Sequence, residues 1–142
     1  MENRVVITGL GVVSPNGIGL DAFTNAIKNG VSGIEFQEEL SDLNFSCQIG
    51  GIPKVSEELK REYFTELQLK NFNSSGILYG CMAGMDAWKD AGLAITDQVD
   101  YESGTVFGAG TSGVEKFREA IYKLDEKNVR RLGSTVVAQT MA

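Results

Sequence analysis

Residues Thr105 to Glu126 read TVFGAGTSGVEKFREAIYKLDE. The β-branched and aromatic run Thr105, Val106, Phe107 predicts a short strand. A glycine cluster follows at Gly108, Gly110 and Gly113, and then a charged amphipathic helix begins. Val114, Phe117, Ile121 and Leu124 recur at helical spacing and form one apolar stripe. Ser112 and Glu115 have the spacing of a capping box, in which each side chain satisfies a backbone N–H of the other. Glu119 and Lys123 stand four apart in the favourable order on the wet face. Strand, glycine turn and helix together are the unit from which α/β folds are made, so α/β is the predicted class.

Gly108, Gly110 and Gly113 also fit the G-x-G-x-x-G pattern of dinucleotide sites literally. That fingerprint wants an acidic residue at the end of a second strand, roughly 20 residues on. The matching region, Asn128 to Gly133, reads NVRRLG and carries neither acid nor strand. A turn that lets a helix pack closely on its neighbours is the better reading, because glycine permits backbone to approach backbone.

Upstream, Arg4 to Gly9 (RVVITG) is a β-branched run suited to a central strand buried on both faces. A strand through Val12 and Val13 should end in a turn at Ser14 to Gly17, around Pro15-Asn16. Asp21 then suits the first turn of a helix. Ala22, Phe23, Ala26 and Ile27 give that helix an apolar side, and Gly30 is placed to end it. Ser46 to Ile52 predicts a short strand with Cys47, Ile49 and Ile52 inward. Ser56 to Phe64 predicts a charged surface helix. Asn73 to Ala91 predicts a long helix capped by Asn73 or Ser74. Its apolar face carries Leu78, Cys81, Met85 and Trp88. Gly76, Gly80 and Gly84, continued by Ala87 and Ala91, make a second face of small residues. Each mid-helix glycine costs about 1 kcal/mol against alanine, so close approach of another segment should offset it. Ser134 to Met141 begins one more helical pattern, and the absence of a stop signal after it reads as a cut end.

The 142 residues form one domain large enough for a core. Thirteen basic and 19 acidic residues give a net charge of −6, which argues against a nucleic-acid or anionic-membrane surface. Glycines interrupt the apolar N-terminus before it can act as a signal or membrane span. Cys47 and Cys81 form no metal or redox spacing and read as small hydrophobes in a reducing, cytoplasmic setting. The sequence holds no histidine, which removes the usual general base near neutral pH.

Four stretches carry a family resemblance. RVVITGLGVVSPNGIGLDAFTNAIKNGVSGI (Arg4 to Ile34) is similar to the start of the β-ketoacyl-acyl carrier protein synthases, the condensing enzymes of fatty-acid and polyketide synthesis. MDAWKDAGL (Met85 to Leu93) resembles their A-x-x-D-A-G-L helix end. GTVFGAGTSG (Gly104 to Gly113) resembles their strand and glycine turn. GSTVVAQTMA (Gly133 to Ala142) looks like the segment just before their active-site region.

The resemblance implies the N-terminal part of a thiolase-like fold with αβαβα layers, cut before the active-site cysteine. It implies decarboxylative Claisen condensation with a malonyl-carrier, without a cofactor or metal, in a homodimer or a heterodimer with a related ketosynthase. Thr111 falls where these enzymes place a residue that shapes the acyl pocket. Neither Cys47 nor Cys81 matches the nucleophile, so the catalytic residues are expected beyond Ala142 and this stretch alone is expected to be inactive. The family docks its acyl carrier protein partly through basic residues before the glycine helix. Here those positions hold Gln68 and Asn71, with Lys70 the one charge nearby, which puts docking by this surface in doubt. Non-catalytic chain-length partner subunits share the same pattern and are the alternative.

Overall fold

The structure is a computed structural model that describes residues 4–141; Ala142, the end of the last motif, lies outside the described residues. It is a mixed α/β chain in which two compact units form. One comprises the chain through Ser56 together with Met82–Ile95, and the other Glu57–Cys81 together with the chain from Thr96 onward.

In the first unit, β1 (Val13–Ser14) and β2 (Gly17–Ile18) form an antiparallel hairpin, with Val13 opposite Ile18 and Ser14 opposite Gly17. The turn is the expected Pro15-Asn16. Ser14 Oγ donates to Asn16 Oδ1 at 2.6 Å, which fixes it. Helix α1 (Leu20–Lys28) follows with Asp21 in its first turn and Lys28 in its last, each matched to the helix dipole. Ala26 is buried beneath it. Gly30, at φ 63°, supplies the left-handed residue that ends the helix. A second hairpin pairs β3 (Glu35–Phe36) with β4 (Ile49–Gly50), and the short helix α2 (Glu38–Asp42) lies between them.

Helix α3 (Glu57–Tyr63) matches the predicted charged surface helix. Helix α4 (Glu66–Asn71) starts with a capping box that the pattern reading missed: Thr65 Oγ1 accepts from the Gln68 amide, and Gln68 Oε1 accepts from the Thr65 amide. Helix α5 (Ser75–Asp90) is the predicted glycine helix, and helices α6 (Val114–Asp125) and α7 (Val136–Met141) follow. A 3-10 turn at Val129–Arg131 links the last two.

The close neighbour expected along the small-residue face of α5 is found at its alanines, Ala83, Ala87 and Ala91. Gly9 and Gly11 lie directly on the helix backbone. A Cβ at Gly9 would strike the Ala87 carbonyl and the Ala91 amide, and one at Gly11 the Ala83 carbonyl and the Ala87 amide. The Leu10 amide donates to Asp90 Oδ2 at 2.9 Å and holds this segment in place. Gly80 faces the Phe107 ring, 3.4 Å from where its Cβ would be.

Several expectations are corrected. Arg4 to Gly9 and Thr105 to Phe107 do not join a sheet. A strand exists through its ladder partner, and among the described residues these runs have none. Val5 is 94 % exposed, Ile7 83 % and Val106 98 %. Cys47 and Cys81 are exposed, not buried. On α5 the buried positions are Leu78 and Met82, four apart; of the predicted face Leu78, Cys81, Met85 and Trp88, Leu78 is buried whereas Cys81 and Trp88 are exposed. Ile49 in the second hairpin and Ile52 just after it are more than half exposed as well. The capping box at Ser112 does not form either: Gly113, at φ 68°, is the N-cap of α6 and no side chain caps it. The stripe Val114, Phe117, Ile121 and Leu124 does lie along α6, but among the described residues it stays about half exposed.

Candidate functional site

The second unit contains a cleft of about 380 Å³. Lys70 and Asn71 at the end of α4, the face of α6 carrying Lys116, Glu119 and Lys123, and the loop from Arg131 into α7 line it. Its walls are joined by side chains that cap another helix. Gln139 of α7 is 8 % exposed. Its Oε1 accepts from the Asn73 amide at 2.8 Å, and its Nε2 donates to Thr135 Oγ1 at 3.3 Å. Glu115 of α6 accepts from the Ser75 amide at 2.8 Å and from Ser75 Oγ at 3.1 Å. The N-terminus of α5 is therefore satisfied by residues from two other helices, where a local cap was expected. The neighbouring Ser74 hydroxyl is fully buried and has no hydrogen-bond partner among the described residues.

Partial burial raises the Glu115 pKa, but stronger opposing effects win. The Ser75 amide, the Glu115 amide, the Ser75 hydroxyl and the Lys116 charge together hold the carboxyl below its ordinary range. Glu115 thus serves the fold as an ionised acceptor.

The cleft is basic. Lys116 and Glu119 form an ion pair at 3.0 Å, and the Lys116 side chain is only 15 % exposed, so this pair is fixed and nearly neutral. Among the described residues no carboxylate pairs with Lys70, Lys123 or Arg131. Four of the chain's 13 basic residues gather here with one of its 19 acids, an imbalance opposite in sign to the whole. Such a site attracts carboxylates or phosphates.

Only part of this cleft is legible in the sequence. Lys70 and Asn71 line the cleft, whereas Gln68 spends its side chain on the α4 capping box. Lys123 was expected only as a partner of Glu119 on the wet face, and Lys116 and Arg131 were given no role. The seven-residue spacing of the two lysines, which puts them on one helix face, was the available signal. The expected partner of Glu119 is also different: it pairs with Lys116 and leaves Lys123 to the cleft.

Thr111 lies in an exposed bend before α6 and is not part of the cleft lining. The glycine turn divides into two kinds of position. A Cβ at Gly108 or Gly110 would meet nothing within 4 Å. A Cβ at Gly113 would strike the backbone of Gln139 and Thr140. The one tight glycine of the turn therefore faces protein backbone, as the packing reading requires.

A profile described as "Beta-ketoacyl synthase, N-terminal domain" matches residues 2–142. The chain is 31% identical over 140 residues to 3-oxoacyl-[acyl-carrier-protein] synthase 2 of Vibrio harveyi, covering 99% of this chain and 33% of that protein. It is 32% identical over 143 residues to 3-oxoacyl-[acyl-carrier-protein] synthase 1 of Haemophilus influenzae, covering 98% of this chain and 34% of that protein. The chloroplastic 3-oxoacyl-[acyl-carrier-protein] synthase I of Arabidopsis thaliana is 28% identical over 147 residues, with 92% and 28% covered. The chain spans about a third of the length of these curated relatives.

Proposed function

Because the chain belongs to the β-ketoacyl synthase family, we propose that the whole protein elongates an acyl chain by decarboxylative Claisen condensation with a malonyl-carrier. The observation that carries this reading is the family match across 2–142. In the proposed reaction a cysteine thiolate attacks the acyl thioester, the carrier thiol leaves, and an acyl-enzyme forms. The malonyl unit then loses CO2. The resulting enolate attacks the acyl carbonyl and releases the cysteine, with backbone amides stabilising the oxyanion.

On this reading the nucleophile and its supporting histidines lie beyond residue 142, and residues 1–142 are inactive alone. The layers of a thiolase-like αβαβα fold would supply the ladder partners that Arg4 to Gly9 and Thr105 to Phe107 lack. The partners are an acyl carrier protein and a second ketosynthase subunit, the same or related. No cofactor takes part. Thr111 shapes the acyl pocket, and its exposed position before α6 leaves it free to meet other protein or substrate.

Intact mass spectrometry of the full-length protein after incubation with an acyl-carrier tests this. The expected result is one acyl adduct on a cysteine other than Cys47 or Cys81. No adduct, together with co-purification beside an active ketosynthase, would favour the non-catalytic partner subunit. An adduct on Cys47 or Cys81 would overturn both.

A further inference from the structure

We propose that Asn29 is a site of spontaneous modification, at which the Gly30 nitrogen displaces the Asn29 side-chain amide, and that the fold directs this chemistry to Asn29 while holding Asn16 against it. The proposal stands on α1 and the first hairpin and does not depend on the synthase reading. Two Asn-Gly steps occur in the chain, Asn16-Gly17 and Asn29-Gly30. Asparagine is a thermolabile residue, and a following glycine has no Cβ to obstruct the approach of its nitrogen. In the reaction the Gly30 nitrogen gives its proton to hydroxide and bonds to Asn29 Cγ. The Cγ–Nδ2 bond breaks, and the departing nitrogen takes a proton from water and leaves as ammonia. Water then opens the cyclic imide at either carbonyl. The product is aspartate or, where the main chain now runs through the side chain, isoaspartate. The net change consumes one water and releases one ammonia, and nothing is oxidised or reduced.

The two steps share their chemistry and differ in their restraint. Asn16 is half-buried in the turn of the first hairpin. Its carboxamide is held at both ends: Oδ1 accepts from Ser14 Oγ at 2.6 Å, and Nδ2 donates to the Val31 carbonyl at 3.4 Å. Gly17 pairs with Ser14, and a Cβ on it would strike the backbone of Ala22 and Phe23, so this glycine has little room to turn. Asn29 and Gly30 are exposed at the end of α1, and a Cβ at Gly30 would meet nothing within 4 Å. Asn29 Nδ2 donates to the Asn25 carbonyl at 2.7 Å, while among the described residues nothing donates to its Oδ1. The Gly30 amide donates to the Ile27 carbonyl at 3.1 Å and the Val31 amide to the Ala26 carbonyl at 2.8 Å. These bonds keep the Gly30 nitrogen away from Asn29 Cγ only while the helix end is closed. A helix end frays at little cost, so the reacting arrangement is within reach. Asn16 reaches it only when the hairpin opens. Aspartate at position 29 would place a negative charge on the negative end of the α1 dipole. Isoaspartate would lengthen the main chain there and break the spacing of the two closing bonds.

The test incubates the folded full-length protein in mildly alkaline buffer and follows both sites by peptide mass spectrometry and by labelling with an isoaspartate-specific methyltransferase. Conversion is expected at Asn29 at least about tenfold faster than at Asn16. In urea, where neither restraint survives, the two should convert at comparable rates. Ser14→Ala should speed conversion at Asn16 several-fold and leave Asn29 unchanged, because it frees one end of the Asn16 carboxamide only. Equal rates in the folded protein, or a faster Asn16, would overturn the assignment. So would an Asn29 that converts in urea and not in the folded protein. An Asn16 rate unmoved by Ser14→Ala would overturn the restraint assigned to that hydroxyl.

Discussion

Replacing Gly113 by alanine separates a packing turn from a ligand-binding one. Gly113 sits at φ 68°, a conformation costing an L-residue about 1–2 kcal/mol. Its new Cβ would also meet the Gln139 carbonyl and Thr140 Cα. These are backbone atoms, so no rotamer change relieves the contact, and overpacking of this kind costs about 1–3 kcal/mol. The two effects together predict a loss of about 2–5 kcal/mol, a large part of a typical stability of 5–15 kcal/mol. Gly108→Ala and Gly110→Ala meet nothing within 4 Å and have no positive φ. They should therefore stay within about 0.5 kcal/mol of the parent. Urea unfolding of the full-length protein reads all three as shifts of the midpoint at constant slope. If Gly113→Ala leaves the midpoint in place while Gly108→Ala or Gly110→Ala lowers it, the division of this turn is wrong.

Other substitutions probe the inter-helix caps and the small-residue contact. Gln139→Leu leaves the Asn73 amide without its acceptor and should cost about 1–3 kcal/mol by the same unfolding assay; an unchanged midpoint would show that water replaces the bond freely. Glu115 has a folded pKa below its unfolded value, so its stabilising effect is present above the unfolded pKa and is lost as pH falls through the folded one. Glu115→Gln should accordingly flatten the acid limb of stability against pH below about pH 4.3, and an unaltered limb would contradict the assigned role. Gly11→Ala places a methyl against the Ala83 carbonyl and Ala87 amide and should destabilise by about 1–3 kcal/mol or more. Thr111→Trp should shorten the acyl chains accepted by the full-length enzyme without changing its carrier KM; an identical product profile would remove Thr111 from the acyl pocket.

Local chemistry was legible where the physical cause is itself local. The Pro15-Asn16 turn, the start of α1 at Leu20, its end at Gly30 and the charged helix at Glu57–Tyr63 each follow from residues within one turn of the feature. The need of α5 for a close neighbour was legible in part: Ala87 and Ala91 of the expected small-residue face do meet one, together with Ala83. Its identity, Gly9 and Gly11, lies about 75 residues away, beyond the reach of pattern reading. The strand errors share one cause. Val5, Ile7 and Val106 carry β-propensity, but pairing decides a strand, and propensity does not supply the partner. Glu115 misled for a related reason: its carboxylate had two candidate N–H groups, and the Ser75 amide 40 residues away took it. The cleft was half legible, with Lys70 and Asn71 already marked. Lys123 and Arg131 joined them only once α6 and the 3-10 turn were folded against the start of α7.

The most direct measurement is product formation by the full-length protein from an acyl-carrier and malonyl-carrier, followed by mass spectrometry. The account predicts a 3-oxoacyl-carrier two carbons longer than the starting acyl chain, with one CO2 released for each product formed. Transfer of the acyl group with no carbon–carbon bond formed, or release of CO2 with no longer product, would contradict it.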